Sequence, residues 1–164
     1  MKVKLITKCG TETIVNMDKN VQLYPHFKLS ELANTKGKTD LPQMVLSPDV
    51  DDFLSMIEEF RAWWGKGMHC NSCYRQPEFN ASVGGSSRSL HLKALAFDWG
   101  VSLNYNQRVS ICWQWAAICK RHGKIGGINF YPWGCHLDAN ENLLGNYSFV
   151  IRDGNKQIAS VPRP

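Results

Sequence analysis

The chain has 164 residues, of which 43% are hydrophobic and 20% are charged. This length and composition are typical of one folded domain and exclude an intrinsically disordered chain. No apolar stretch approaches the 18 or more residues of a membrane-spanning helix, and the basic start lacks the apolar core of a secretory signal. We therefore expect a single domain over residues 1–164 that is made in the cytoplasm, inserts into no membrane and is monomeric.

The net charge of +5 fits an anionic partner such as a nucleic acid, an acidic polymer or a bacterial cell wall, but an ordinary solvated surface is the commoner explanation. Lysines and arginines are scattered and no nucleic-acid-binding motif is present, so we expect no nucleic-acid partner. The six cysteines include one CxxC pair, Cys70 and Cys73. We expect mainly reduced thiols, because a chain of this size needs no covalent staple and carries no secretory signal.

The first half of the chain predicts a hairpin and two helices. Residues 2–6 and 11–16 alternate as β-strands do, and Ser30 is placed to cap a short helix. Ser47 and Pro48 predict the start of a helix over residues 48–64, since serine caps helices and proline suits their first turn. Apolar residues recur along this helix at a spacing of three to four, at Val50, Phe53, Leu54, Ile57, Phe60 and Trp64.

The second half predicts short strands around one further helix. Asn106 is expected to cap a helix over residues 107–121 that carries Val109, Cys112, Trp113, Ala116 and Cys119, with Trp113 at a core position. The predicted strands cover residues 68–74, 94–100, 128–131, 136–138 and 147–151. These elements predict an α+β fold with a small, mainly antiparallel sheet and helices packed around it.

His91 and Asp98 lie in the stretch that is richest in chemistry. On a continuous helix their Cα atoms would be about 10 Å apart, and on a continuous strand their side chains would point to opposite faces. Neither arrangement lets the two residues bind one metal ion. A bend after the loop of residues 84–87 removes the conflict, so we expect His91 on a loop or turn and Asp98 on the strand.

His136 and Asp138 are two residues apart, which places them on one face of an extended segment. Two imidazoles and one carboxylate, here His91, His136 and Asp98, are a common catalytic zinc set. Zinc lowers the pKa of a water toward about 7 and polarises a carbonyl, while a nearby carboxylate can move the proton. Histidine and aspartate pairs also occur by chance, so the pattern alone leaves an ordinary strand pair open.

Several segments, in chain order, resemble the zinc D-alanyl-D-alanine carboxypeptidases and L-alanyl-D-glutamate endopeptidases. They are Phe27–Leu32, Ser72–Asn80, Ser89-x-His91-x6-Asp98, Gly126-Gly127-Ile128 and His136-x-Asp138. The resemblance covers residues 27–138. It implies the hedgehog/DD-peptidase fold and a Zn²⁺ cofactor with His91, Asp98 and His136 as its ligands.

The resemblance also implies roles for residues around the metal. Arg75 would bind a substrate carboxylate or the developing oxyanion, a task suited to its planar fork of donors. Ser89 would orient the site or contact the substrate.

One departure from the family concerns the general base. Many relatives have an acid three residues before the last ligand, or a histidine two before it. Those positions hold Trp133 and Gly134 here, and neither accepts a proton. Asp138 is the remaining candidate for the base, and the alternative is that it holds His136 in the required tautomer.

The resemblance predicts zinc-dependent hydrolysis of peptide bonds in bacterial peptidoglycan. The bond is either D-alanyl-D-alanine, cut by a carboxypeptidase, or L-alanyl-D-glutamate, cut by an endopeptidase. The small size suits a phage lysis enzyme (an endolysin) or a tail-associated enzyme that degrades the cell wall from outside the cytoplasm. The alternative is a non-catalytic module that keeps the zinc fold for binding or structure, and the missing acid before His136 favours it.

Overall fold

The computed structural model describes residues 1–139 and 147–162 of the chain. That part has a mixed α+β fold with four α-helices and three small sheets. Its contacts divide into two compact units, one formed by residues 1–58 and 72–97 and the other by residues 59–71 and the described residues from 98 onward. A membrane-crossing helix is not found among the described residues.

The first unit begins with a hairpin. Strands β1 (Lys2–Ile6) and β2 (Glu12–Asn16) pair antiparallel, which confirms the hairpin expected from the alternating sequence. Strands β3 (Gln22–Tyr24) and β4 (Phe27–Lys28) form a second, two-stranded sheet. Strand β5 (Met44–Leu46) then joins β1 in parallel, which makes the order β2-β1-β5.

The short helix α1 (Leu29–Leu32) begins one residue before the predicted cap, so the assignment of Ser30 as its N-cap was wrong. The backbone N–H of Ser30 already donates to Lys19 O at 2.9 Å, and Lys28 occupies the N-cap position. The Lys28 N–H donates to Glu31 Oε2 at 2.8 Å. Helix α2 (Pro48–Trp64) has the predicted bounds, and Ser47 Oγ accepts a hydrogen bond from Val50 N.

Two short helices complete the first unit. Helix α3 (Pro77–Ser82) follows Arg75 and Gln76, and a single 3₁₀ helix covers Leu90–Lys93. The 3₁₀ helix is followed by its C-cap residue Ala94, whose φ of 56° lies in the left-handed region. The core of this unit is apolar, and its fully buried members include Val3, Phe27, Leu29, Leu32, Met44, Phe53, Leu54 and Ile57.

The second unit is built around a six-stranded sheet and one long helix. The sheet comprises β6 (His69–Ser72), β7 (Ala96–Gly100), β8 (Gly126–Tyr131), β9 (Gly134–Ala139), β10 (Tyr147–Asp153) and β11 (Lys156–Pro162). Its strand order is β11-β10-β8-β9-β7-β6. Strands β8 and β9 are antiparallel, as are β10 and β11, whereas β10 runs parallel to β8. The sheet is therefore mixed.

Helix α4 (Tyr105–Arg121) begins earlier than expected, and the assignment of Asn106 as its cap was wrong. Asn104 is the N-cap because its side chain accepts from Gln107 N at 2.9 Å, while Gln107 Oε1 accepts from Asn104 N at 3.0 Å. This reciprocal pair satisfies two backbone donors at the helix start.

The buried face of α4 also differs from the predicted one. Trp113 is 76% exposed and Val109 is 39% exposed, whereas Trp115 is fully buried. The residues of α4 that do lie in the core are Ile111, Trp115, Ile118 and Cys119.

The two faces of the sheet have different neighbours. A Cβ on Gly126 would lie 2.4 Å from Cys119 Sγ of α4, so this residue faces the helix. A Cβ on Gly127 would instead lie 3.3 Å from Asp138 Oδ1. Because side chains alternate along a strand, Asn129 shares the face of Gly127. That face, turned away from α4, carries the polar side chains of β8 and β9.

Candidate metal centre

Three residues that the sequence proposed as metal ligands lie together in the structure. One ligand atom from each of His91, Asp98 and His136 lies within 4.8 Å of the other two, close enough for the group to hold one metal ion. His91 and Asp98 are 1% and 5% exposed. The structure therefore groups the three side chains that the sequence proposed.

His91 is fixed at both its backbone and its ring. It lies on the 3₁₀ helix, where Ser89 Oγ caps the helix by accepting from His91 N at 3.4 Å. The ring Nδ1 lies 2.7 Å from Cys73 O, and because a carbonyl only accepts, Nδ1 carries the proton. The other nitrogen, Nε2, then has the lone pair that a metal requires. The predicted turn at His91 and the strand at Asp98 are both confirmed.

Asp98 and His136 approach each other from strands β7 and β9. His136 Nδ1 lies 2.8 Å from Asp98 Oδ1, and His136 Nε2 lies 3.2 Å from Asp138 Oδ2. Burial lowers the pKa of His136, but hydrogen bonds with Asp138 and Asp98 outweigh it and raise the pKa to about 9. The predicted common face of His136 and Asp138 is confirmed by their contact.

Asp138 lies next to the proposed ligands, because its carboxylate contacts His136. Its side chain is 16% exposed, and its backbone carbonyl accepts a hydrogen bond from Trp115 Nε1 at 3.1 Å. The contact with His136 suits a carboxylate that orients the ring, and the partial exposure suits one that exchanges a proton with solvent. Both predicted roles of Asp138 remain predictions.

Arg75 and Ser89 both form a hydrogen bond with the backbone of His91. The Arg75 backbone N–H donates to His91 O at 2.9 Å, and its Nε donates to Ser72 Oγ at 2.8 Å. Arg75 is half-buried. Ser89 Oγ caps the helix that carries His91, which is compatible with the predicted role of Ser89 in orienting the site. Contact of either residue with a substrate stays a prediction.

The structure explains why no base stands two residues before His136. A Cβ on Gly134 would lie 2.0 Å from the backbone oxygen of Trp99, so strand β9 passes β7 too closely for any side chain there. The neighbouring Trp133 stacks on Tyr131, with ring centroids 4.9 Å apart and an interplanar angle of 8°. Neither position supplies a proton acceptor.

Asn129 is a polar neighbour of the site that sequence reasoning missed. It lies directly opposite His136 in the β8–β9 register and is 9% exposed. Its Nδ2 donates to Tyr131 Oη at 2.7 Å and to Gly154 O at 2.9 Å. The signal available in the sequence was the short connection between Tyr131 and Gly134, which sets this register once both strands are recognised.

The donor set fits zinc. Two imidazoles and one carboxylate are the three protein ligands of many catalytic zinc sites, which keep a further position open for water or substrate. Burial of His91 and Asp98 keeps these ligands in fixed rotamers, and the Cys73 carbonyl selects the His91 tautomer that binds a metal.

Comparison with known proteins assigns the family. The family model Peptidase M15 matches residues 25–133, about two thirds of the chain, and no curated protein matches. The matched segment contains His91 and Asp98 and ends before His136, which the structure nevertheless places with them. Peptidases of this family are zinc-dependent. The chain therefore belongs to the Peptidase M15 family and is a zinc-dependent metallopeptidase.

Proposed function

We propose that this metallopeptidase has the hedgehog/DD-peptidase fold and hydrolyses peptide bonds of bacterial peptidoglycan. The observation that carries the proposal is the convergence of His91, Asp98 and His136 in a chain of the Peptidase M15 family. The scissile bond is D-alanyl-D-alanine or L-alanyl-D-glutamate, and the enzyme reaches the wall as a phage lysis or tail-associated protein. The net charge of +5 favours association with the anionic wall.

The positions of the residues support the roles that we propose for them. When bound by His91, Asp98 and His136, zinc supplies a Lewis acid and lowers the pKa of a water molecule. Asp138 accepts a proton from the attacking water at its carboxylate and passes it to the leaving amine. Arg75 holds a substrate carboxylate or the oxyanion with its guanidinium. Cys73 O and Ser89 keep His91 in the tautomer and position that bind the metal.

Release of muropeptides from purified wall, followed by mass spectrometry, tests the function. Wild-type protein with zinc should release defined fragments, and their termini identify the scissile bond. His136→Ala should abolish release, because it removes a proposed ligand. Asp138→Ala should lower the rate by about 100-fold or more with zinc still bound, the size expected for loss of a general base.

The matched control for Asp138 is Asp153→Asn, which removes an exposed carboxylate at the far end of β10. It should release muropeptides at the wild-type rate. Unchanged release by Asp138→Ala would remove Asp138 as the base and leave it the role of orienting His136.

A binding module is the second candidate, and the absence of an acceptor at Trp133 and Gly134 is the observation that favours it. Such a module would sediment with purified wall and bind zinc while releasing no fragment under any condition. Release that depends on His136 would exclude it.

A further inference from the structure

A row of polar residues crosses the sheet beside His136. Asn129 of β8 lies opposite His136 of β9, and Arg152 of β10 lies opposite Asn129. Residues directly opposite each other on neighbouring strands share a face of the sheet. Neighbouring strands are about 4.8 Å apart, so the Cα atoms of Arg152 and His136 are separated by about 10 Å, two strand spacings.

The strand register and the alternation of side chains along β10 support the placement of Arg152 on this face. Gly126 and Gly127 of β8 face α4 and Asp138 respectively, and they lie opposite Phe149 and Val150 of β10. Alternation along β10 then places Arg152 on the face of Val150 and Gly127, away from α4. The cation is therefore on the same face as the carboxylate of Asp138.

Asn129 has an acceptor that the fold does not use. Because Gly154 O only accepts, its contact fixes which end of the Asn129 amide is Nδ2, and both Nδ2 hydrogens are occupied by Gly154 O and Tyr131 Oη. The carbonyl oxygen Oδ1 is buried and has no hydrogen-bond partner among residues 1–139 and 147–162. A buried acceptor without a donor costs about 1–3 kcal/mol, so such atoms point to a ligand or a functional role.

Arg152 is half-buried, and its guanidinium makes no hydrogen bond or ion pair within the described part of the chain. A guanidinium offers paired donors in the geometry of a carboxylate, and it stays charged at every physiological pH. Next to a metal centre that cuts peptides, an arginine and an amide oxygen that have no partner in the described part of the chain suit the recognition of an acidic peptide.

We propose that Arg152 and Asn129 form a substrate subsite beside the metal centre. Arg152 binds a carboxylate of the peptide, and Asn129 Oδ1 accepts a hydrogen bond from a peptide N–H. The subsite rests on the proposed function for the identity of its ligand, since the stem peptides of peptidoglycan carry free carboxylates on their glutamate and terminal residues.

The first experiment pairs a protein change with a substrate change. Muropeptides with free carboxylates are compared with the same peptides amidated at one carboxylate at a time. Arg152→Gln should raise KM for the acidic peptide about 10- to 100-fold with kcat nearly unchanged, as expected for loss of a hydrogen bond to a charged group. For the peptide amidated at the recognised carboxylate, Arg152→Gln should have no further effect on KM.

The matched control is Lys156→Gln, which removes the same charge from an exposed position on the adjacent strand β11. It should leave KM unchanged for both peptides, so a general effect of net charge is separated from a specific contact. Arg152→Lys should recover only part of the affinity, because an ammonium group lacks the paired donors. Asn129→Ser should raise KM several-fold for acidic and amidated peptides alike.

Binding without turnover separates this subsite from the proposed function. A stem tetrapeptide is titrated into chelator-treated protein and followed by NMR or calorimetry. Weaker binding to Arg152→Gln than to Lys156→Gln supports the subsite even if no muropeptide is ever released, in which case only the proposed function fails. Hydrolysis by the wild type with KM and Kd unchanged in Arg152→Gln would overturn the subsite and leave the proposed function standing.

Discussion

His136 has a carboxylate at each ring nitrogen, Asp98 at Nδ1 and Asp138 at Nε2. Such an arrangement favours the charged imidazolium in the absence of metal, and it explains a pKa that is raised to about 9 despite burial. A metal ion binds only the neutral ring, so it must displace a proton. Metal binding and proton binding at His136 therefore compete.

This competition predicts a pH-dependent zinc affinity. The proton is bound below the pKa of about 9, so the apparent zinc affinity should rise about tenfold per pH unit well below that value and level off as the pH approaches it. Between pH 6 and pH 8 the change is about 100-fold, measured by competition with a chromophoric chelator. Asp138→Asn removes one of the bonds that raise the pKa of His136 and should flatten the profile at its upper end. An affinity that is constant over this range would contradict the assignment of His136 as a ligand.

The local structure around His91 and Asp98 was predictable from sequence because the spacing of these two proposed ligands is restrictive. His91 and Asp98 cannot share a metal on any continuous helix or strand, so a turn followed by a strand was required, and the structure has both. Other contacts of the site could not be predicted from the types of the residues that make them. The acceptor that holds His91 Nδ1 is the backbone oxygen of Cys73, and any residue at that position would supply it. Asn129 could be found only after the strand register was known.

Among the elements, strands β7 and β9 can lie as close together as they do because residue 134 is a glycine. A side chain on Gly134 would meet the Trp99 backbone oxygen at 2.0 Å, and backbone cannot move aside as a flexible side chain does. Because these strands carry Asp98 and His136, widening the pair would also separate two proposed ligands.

Gly134→Ala should therefore lower stability by about 1–3 kcal/mol, the usual cost of overpacking, and weaken zinc binding in the same protein. Urea unfolding and chelator competition measure the two effects. The control is Gly67→Ala, where an added Cβ meets nothing within 4 Å. If Gly134→Ala bound zinc as tightly as Gly67→Ala, the close approach of the strands would not govern the metal centre.

Helix α4 shows where the apolar pattern of a sequence is ambiguous. One set of residues at helical spacing contains Val109 and Trp113, and another contains Ile111, Trp115 and Ile118. Periodicity predicts a helix from either set but does not decide which set faces the core. Trp115 is the buried one, and its Nε1 donates to the backbone oxygens of Gly127 and Asp138.

The two tryptophans of α4 should respond oppositely to truncation. Trp115→Ala leaves a cavity and removes the indole N–H that donates to the two backbone oxygens. It should lower the free energy of unfolding by about 3–5 kcal/mol. Trp113→Ala removes a side chain that is 76% exposed and should change stability by no more than about 0.5 kcal/mol. Equal losses in urea unfolding would mean that the helix packs through a different face.

On the scale of the whole molecule, no covalent cross-link holds the fold. All six cysteines are free thiols, as the sequence predicted, and Cys73, Cys119 and Cys135 are buried. Burial raises the pKa of the Cys119 and Cys135 thiols well above the usual range, so they remain protonated and unreactive at neutral pH. Stability then comes from the apolar cores and from whatever binds the folded state alone.

Zinc is the ligand that should add most to this stability, because the three proposed ligands converge only in the folded chain. Binding to the native state alone stabilises by about 4 kcal/mol at a free concentration 1,000 times Kd. For a chain of this size that corresponds to a rise in Tm of about 10 °C, readable by calorimetry with and without a chelator. His136→Ala should lose the rise, whereas a reducing agent should leave Tm unchanged in both proteins. A wild-type Tm that does not change with zinc would show that zinc does not stabilise the folded state. It would contradict the proposed role of the three side chains as metal ligands.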